Sequence, residues 1–150
     1  MFHMESSAVP SFARPDATAR ITRGVVRFCL DQGWAPLTEF RLASGRRVDV
    51  ACLDKKGVLI FVEVKSCRAD FDADNKWTDY LGYCDRFYFA VDGEFPCELI
   101  ADSAGLMLAD GFGAAIVRDG ETPPLPAARR KAVTLRFARQ SAGRLVGDVV

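Results

Sequence analysis

Asp49, Glu63 and Lys65 are the residues of this chain whose types and spacing suit hydrolytic chemistry. Glu63 stands inside VLIFVEV (58–64), an almost unbroken apolar run. A carboxylate in such a run is costly unless it is paired or bound to a cation. Lys65 follows two residues later. Side chains two apart on a strand share a face, so Glu63 and Lys65 stand together, about 6–7 Å apart along the backbone. Asp49 lies in the preceding segment, RRVDVACL (46–53). If the two segments pair through a tight turn at Asp54-Lys55-Lys56-Gly57, residues 49 and 63 fall nearly opposite each other. Two carboxylates and an ammonium then converge from adjacent strands. Paired carboxylates suit Mg²⁺ or Mn²⁺, which prefer oxygen ligands. Such an ion holds a phosphate oxygen and lowers the pKa of an attacking water, while a lysine orients that water or offsets charge on phosphorus. The alternative is a structural salt bridge, Glu63–Lys65 or Asp49–Lys65. One base against two buried acids leaves a carboxylate uncompensated, which favours the functional reading.

The elements that must position these residues follow from periodicity. Asp16 is suited to cap a helix running to about Gln32, with Ile21, Val25, Phe28 and Cys29 as its apolar stripe and Gly33 as its stop. Residues 35–42, interrupted by Pro36, read as an edge strand, and Arg47–Leu53 as the next strand. The run 58–64 predicts a central strand covered on both faces. Ala73, Trp77, Tyr80, Leu81 and Cys84 recur at helical spacing, so a second helix is expected over about 73–84. RFYFAV (86–91) is another buried strand, and residues 99–101, 105–109 and 113–117 read as further short strands. After Pro123, Pro124 and Pro126, a last basic helix is expected over about 127–140.

The chain has 150 residues, enough for one domain, with 20 basic and 20 acidic side chains. The balance hides a segregation. Residues 1–48 carry seven basic and four acidic side chains, 49–125 seven and fifteen, and 126–150 six and one. Either the middle suits cations and the flanks polyanions, or the acids are solvated loop residues. No apolar run approaches the roughly 20 residues of a spanning helix, so no membrane partner is expected. MFHMESSAVP lacks an apolar core for a secretory signal. His3 is the one histidine, which argues against histidine-based triads, zinc sites and acid–base chemistry. Five cysteines without a CxxC pair read as reduced thiols of a cytoplasmic protein. Residues 1–15 are expected to be loose, 16–140 to form the domain, and 141–150 to be a tail.

Asp49, Glu63 and Lys65 form D-x13-E-x-K, which resembles the PD-(D/E)xK nuclease superfamily, and the order helix, three strands, helix, strand is similar to its core. More narrowly, the chain resembles the MmcB-type bacterial DNA-repair-related proteins. The likeness rests on LTEFRLASGRRVDVACLD and VEVKSCRADFDADNKWTDYLGYCDRFYFAV, with a weaker match in PAARRKA and LRFAR, and covers most of residues 16–140. It implies an α/β, restriction-endonuclease-like core with a mixed central sheet and extra C-terminal strands and helix. It also implies a DNase-like site with Asp49, Glu63 and the backbone carbonyl of Val64 as metal ligands and Lys65 as the base-side residue. The proline usual before the first acid is replaced by Val48. Glu39 matches an extra acid of some members and is either a ligand, directly or through water, or an exposed strand carboxylate.

Lys76 and Tyr80 resemble the Q-x-x-x-Y element of RecB-like nucleases, with lysine in place of glutamine. Lys76 is then a phosphate contact and Tyr80 a support. Trp77 and Tyr80 also fall on the apolar stripe, where core packing is the stronger reading. Asp70, Asp72 and Asp74 fit the helix N-terminus better than the metal. Arg46 and Arg47 precede the metal strand and suit the scissile backbone, and Arg129, Arg130, Lys131, Arg136 and Arg139 suit DNA phosphates. The expected function is a DNA-repair nuclease hydrolysing phosphodiester bonds with Mg²⁺ or Mn²⁺. The rivals are a non-catalytic DNA-binding or repair-complex subunit on the same fold, and an interaction protein with a salt-bridged core. Other repair proteins and a homodimer are candidate partners by analogy only.

Overall fold

The computed structural model describes residues 10–67 and 76–147. Its elements are α1 (Pro10–Asp31), β1 (Ala35–Arg41), β2 (Arg47–Leu53), β3 (Leu59–Val64), a 3₁₀ helix (Trp77–Tyr83), β4 (Arg86–Val91), a short 3₁₀ turn (Cys97–Leu99), β5 (Gly105–Ala109), β6 (Ala114–Arg118) and α2 (Ala127–Gly147). The strands make one mixed sheet in the order β1-β2-β3-β4-β5-β6. The β1–β2, β2–β3 and β5–β6 pairs are antiparallel, while β3–β4 and β4–β5 are parallel.

Each face of the sheet has its own core. Ile21, Val25 and Cys29 of α1 pack on Val50, Cys52, Ile60, Val62, Tyr88 and Met107. Val133 and Phe137 of α2, with Tyr80, pack on Phe40, Phe61, Phe87 and Phe89 of the other face. All six residues of β3 are buried, as a strand covered on both sides requires. Gly33, at φ +80°, ends α1, and Trp34 N–H returns to Cys29 O at 2.9 Å, closing a Schellman cap.

Several boundaries differ from expectation. Helix α1 begins at Pro10, ahead of Asp16, so residues 10–15 are helical; residues 1–9 lie outside the described residues. The second helix is a 3₁₀ segment over Trp77–Tyr83, with Ala73 outside the described residues. Its first bond, Asp79 N–H to Lys76 O at 3.0 Å, spans three residues. In that geometry Trp77, Tyr80 and Tyr83 stand above one another, so three aromatics pack as one row. Residues 97–99 form a 3₁₀ turn where a strand over 99–101 is expected. Helix α2 continues to Gly147 and takes in residues assigned to the tail. Its extension is held by β1: Gln140 exchanges two hydrogen bonds with the backbone of Arg41, and Arg144 donates to the carbonyls of Thr38 and Glu39. These side chains shield an otherwise bare sheet edge.

Candidate active site

Pairing between β2 and β3 runs from Leu53↔Leu59 to Val50↔Val62. One step further in the same register brings Asp49 opposite Glu63. There the backbone ladder stops and the carboxylates take over its hydrogen bonds. The N–H of Asp49 donates to Oε1 of Glu63 at 2.9 Å, and the N–H of Val64 donates to Oδ2 of Asp49 at 2.8 Å. Each acid therefore satisfies a backbone donor on the opposite strand. Lys65 N–H continues the β3–β4 ladder to Ala90 O at 3.0 Å, which fixes the lysine backbone beside the pair.

The opposite flank of Asp49 is also irregular. Leu37 and Phe40 of β1 join the same core cluster although they are three residues apart, and so do Val48 and Ala51 of β2. A regular strand would send residues three apart to opposite faces. Both strands reset where Glu39 meets Asp49. Pairing is present at Thr38↔Val50 and Phe40↔Val48 but not between them, and Glu39 takes φ +52°. A non-glycine residue at that φ is strained and persists only where its surroundings hold it, here through Arg144 on its carbonyl.

Glu63 is 4% exposed and Lys65 6%. Burial raises the pKa of Asp49 above the ordinary carboxylate range. The Val64 N–H and the Lys65 ammonium pull it down without offsetting the burial; the charge of Glu39 raises it further and that of Arg47 lowers it. Burial thus disfavours the Asp49 anion, and a bound cation would offset that cost. A buried and a half-buried carboxylate beside a strand backbone are hard oxygen donors and fit Mg²⁺ or Mn²⁺ chemically. Glu39 does not complete a triad. Its side chain is 66% exposed and pairs with Arg47 at 3.4 Å. Among the described residues no three His, Cys, Asp or Glu side chains gather closely enough to hold a metal. Asp70, Asp72 and Asp74 lie outside the described residues.

The remaining candidates separate. Tyr80 is buried, its hydroxyl donates to Arg47 O at 3.2 Å, and its ring stacks on Phe87 at 5.7 Å. Trp77 stacks on the same Phe87 at 5.6 Å. Both aromatics therefore dock the 3₁₀ helix onto β2 and β4. Arg46 lies 4.7 Å above the Tyr80 ring and 3.6 Å from Asp79. Lys76 is exposed at the start of the 3₁₀ helix. Arg130, expected on DNA, is committed instead to Asp85 and the Gly57 carbonyl, near the start of β3 and away from Glu63. Its helical phase turns it from the row of Arg129, Arg136 and Arg139, so it anchors α2. Arg129 donates to Gly82 O at 3.1 Å and lies 4.4 Å over Tyr83. Gln140 and Arg144, which frame this region, carry no sequence signal; only the docking of α2 on β1 reveals them.

Among the described residues no helix is long and apolar enough to cross a membrane. No curated protein matches the chain. Among solved structures, the SPO1766 protein of unknown function from Silicibacter pomeroyi is similar at 46% identity, with a TM-score of 0.82, over 86% of this chain and 88% of that one. An XisH family protein from Nostoc punctiforme shares 20% identity with a TM-score of 0.46, over 68% of this chain and 99% of that one. The family model described as DNA repair protein MmcB-like matches residues 5–149, nearly the whole sequence, and the chain belongs to that MmcB-like DNA repair family.

Proposed function

We propose that this protein is a divalent-metal-dependent deoxyribonuclease of DNA repair, built on a PD-(D/E)xK nuclease core. The observation that carries the reading is the reciprocal lock of Asp49 and Glu63 at the point where the β2–β3 ladder gives way, beside buried Lys65. A scaffold needs only a neutral acceptor for each N–H, which an amide side chain would supply at lower desolvation cost than a carboxylate. Asp49, Glu63 and the Val64 carbonyl are the groups that would hold Mg²⁺ or Mn²⁺. When bound, the ion supplies Lewis acidity to the scissile phosphate and lowers the pKa of the attacking water. Lys65 orients that water and offsets charge growing on the phosphate oxygens. Arg47, two residues before Asp49 and exposed, holds the flanking DNA backbone.

The test is cleavage of branched, single-stranded and duplex DNA in Mn²⁺ by wild type, Glu63→Gln and Lys65→Ala. Glutamine keeps the oxygen that accepts the Asp49 N–H, so the fold is retained while the ligand charge is lost. Wild type is expected to cut at least one substrate. Each variant is expected to be slower by about 10²–10⁴-fold, the range for loss of an acid–base group. Equal cutting by Glu63→Gln, or no cutting by clean wild type, overturns the reading.

One observation favours a second reading, a non-catalytic DNA-binding subunit. Among the described residues only two carboxylates converge, and Glu39 is engaged by Arg47. Wild type that binds DNA in Mn²⁺ and cuts none of the three substrates would establish it.

A further inference from the structure

A cleft with an apolar floor lies away from the carboxylates, between α2, the β1–β2 turn and the end of the 3₁₀ helix. Its volume is about 570 Å³, within the usual span of ligand clefts. Leu42, Val133 and Leu135 line its apolar part, and Arg129, Arg136 and Arg139 its charged part. Among the described residues no carboxylate lines it. Among the described residues, Arg136 and Arg139 make no hydrogen bond or ion pair, although both are exposed beside a folded core. Helix α2 carries no acidic residue between Ala127 and Gly147. Arg136 and Arg139 are therefore left for an external anion, and the exposed Leu135 for an external apolar face.

We propose that this cleft binds an unpaired segment of DNA, with phosphates on the arginines and bases against Leu135 and the Tyr83 edge. The proposal deepens the nuclease reading and rests on it for the choice of DNA. Three features argue for a single strand. A duplex presents phosphates but hides its base faces, so it leaves the floor unfilled; an unpaired strand offers both. The row from Arg129 to Arg139 is about 15 Å long at 1.5 Å per residue, longer than one nucleotide needs. Gln140 also lines the adjoining depression formed by Glu39, Arg41, Arg47 and Arg144, so the cleft leads toward the strand that carries Asp49.

Fluorescence anisotropy of labelled oligodeoxynucleotides in EDTA tests this without cleavage. Wild type should bind a single strand more tightly than a duplex of the same sequence. Arg136→Ala/Arg139→Ala should weaken the single strand by about tenfold and flatten the log–log salt slope by about 1.4, two phosphate contacts at roughly 0.7 each. Leu135→Asn, at a side chain already 59% exposed, should weaken it with the slope unchanged. Lys55→Ala, in the exposed β2–β3 turn and outside the cleft, should bind like wild type. The proposal is overturned if wild type binds no single strand, prefers duplex, or is unaffected by the double substitution. It is also overturned if a deoxynucleoside monophosphate competes as well as the strand. Its failure is separable from that of the nuclease reading. Wild type that binds through this cleft and cuts nothing in Mn²⁺ removes the nuclease alone, whereas cutting by a protein indifferent to the double substitution removes the cleft alone.

Discussion

Asp49 and Glu63 each satisfy a backbone N–H that the other's strand can no longer pair. That dual duty makes their substitutions separable. Glu63→Ala removes the acceptor of the Asp49 N–H and leaves a partly buried donor without its partner, at a cost of about 1–3 kcal/mol. Glu63→Gln retains an acceptor and should lose much less stability while losing cleavage. Urea denaturation of the two variants checks the difference; equal losses would mean that the charge rather than the hydrogen bond holds the strands. Asp49 is held protonation-prone by burial, so a neutral side chain suits its surroundings better than the native charge does. Asp49→Asn is accordingly expected to raise the thermal midpoint of the metal-free protein while abolishing cleavage, the exchange of stability for function common at active sites.

At the scale of elements, two contacts set the geometry of the sheet and its covers. The first is Asp85, just before β4, whose carboxylate accepts from Arg130 of α2 and from the Leu59 N–H of β3. Burial alone would raise its pKa, but those hydrogen bonds and the guanidinium charge outweigh it and hold the carboxyl below the ordinary range. A depressed carboxyl contributes stability that is present above its unfolded value near 3.9 and is lost as pH falls through the lower folded value. Acid unfolding should therefore be steeper in wild type than in Asp85→Asn below about pH 4, and Asp85→Asn should cost about 1–3 kcal/mol at neutral pH. Parallel acid titrations followed by circular dichroism test both statements. The second contact is Gly24 of α1, where a Cβ would stand 1.9 Å from Asp110 O and 2.6 Å from Gly113 O. The β5–β6 turn is backbone and cannot yield as a side chain does. Gly24→Ala should cost about 1–3 kcal/mol by forcing α1 off the sheet, despite the better helix propensity of alanine. A rise in stability on denaturation would show that the turn moves freely.

The whole molecule is neutral, with an isoelectric point near 6.6, yet one helix gathers six basic residues and no acid. Attraction to DNA is then local rather than global. Three arginines in one cleft predict a log–log salt slope for single-strand binding of about −2, at roughly 0.7 per phosphate. A slope several times steeper would mean that the protein coats DNA through its surface. Helix α2 also joins the parts. It covers one core, closes the β1 edge through Gln140 and Arg144, and reaches β4 through Arg130. The helix that lines the arginine cleft thus also braces β1, the strand beside Asp49.

The sequence by itself determined the strands around the acid pair and the register that joins them. Strands 47–53 and 58–64 were legible because their apolar runs and the Asp54–Gly57 turn fix register locally, and register alone sets Asp49 against Glu63. The strands at 86–91 and 105–109 and the Gly33 stop were legible for the same reason, since period and turn chemistry are short-range. Tertiary structure decided the rest. Helical spacing at 77–84 is shared by α and 3₁₀ geometry until the ring stack on Phe87 selects between them. The length of α2 depended on a sheet edge about a hundred residues away in sequence, because an exposed ladder group needs a partner wherever one can be found. The same docking assigned the arginines their tasks: a basic helix reads as one stripe of charge, but only its phase against β4 and the 3₁₀ helix turns Arg130 inward and leaves Arg136 and Arg139 open.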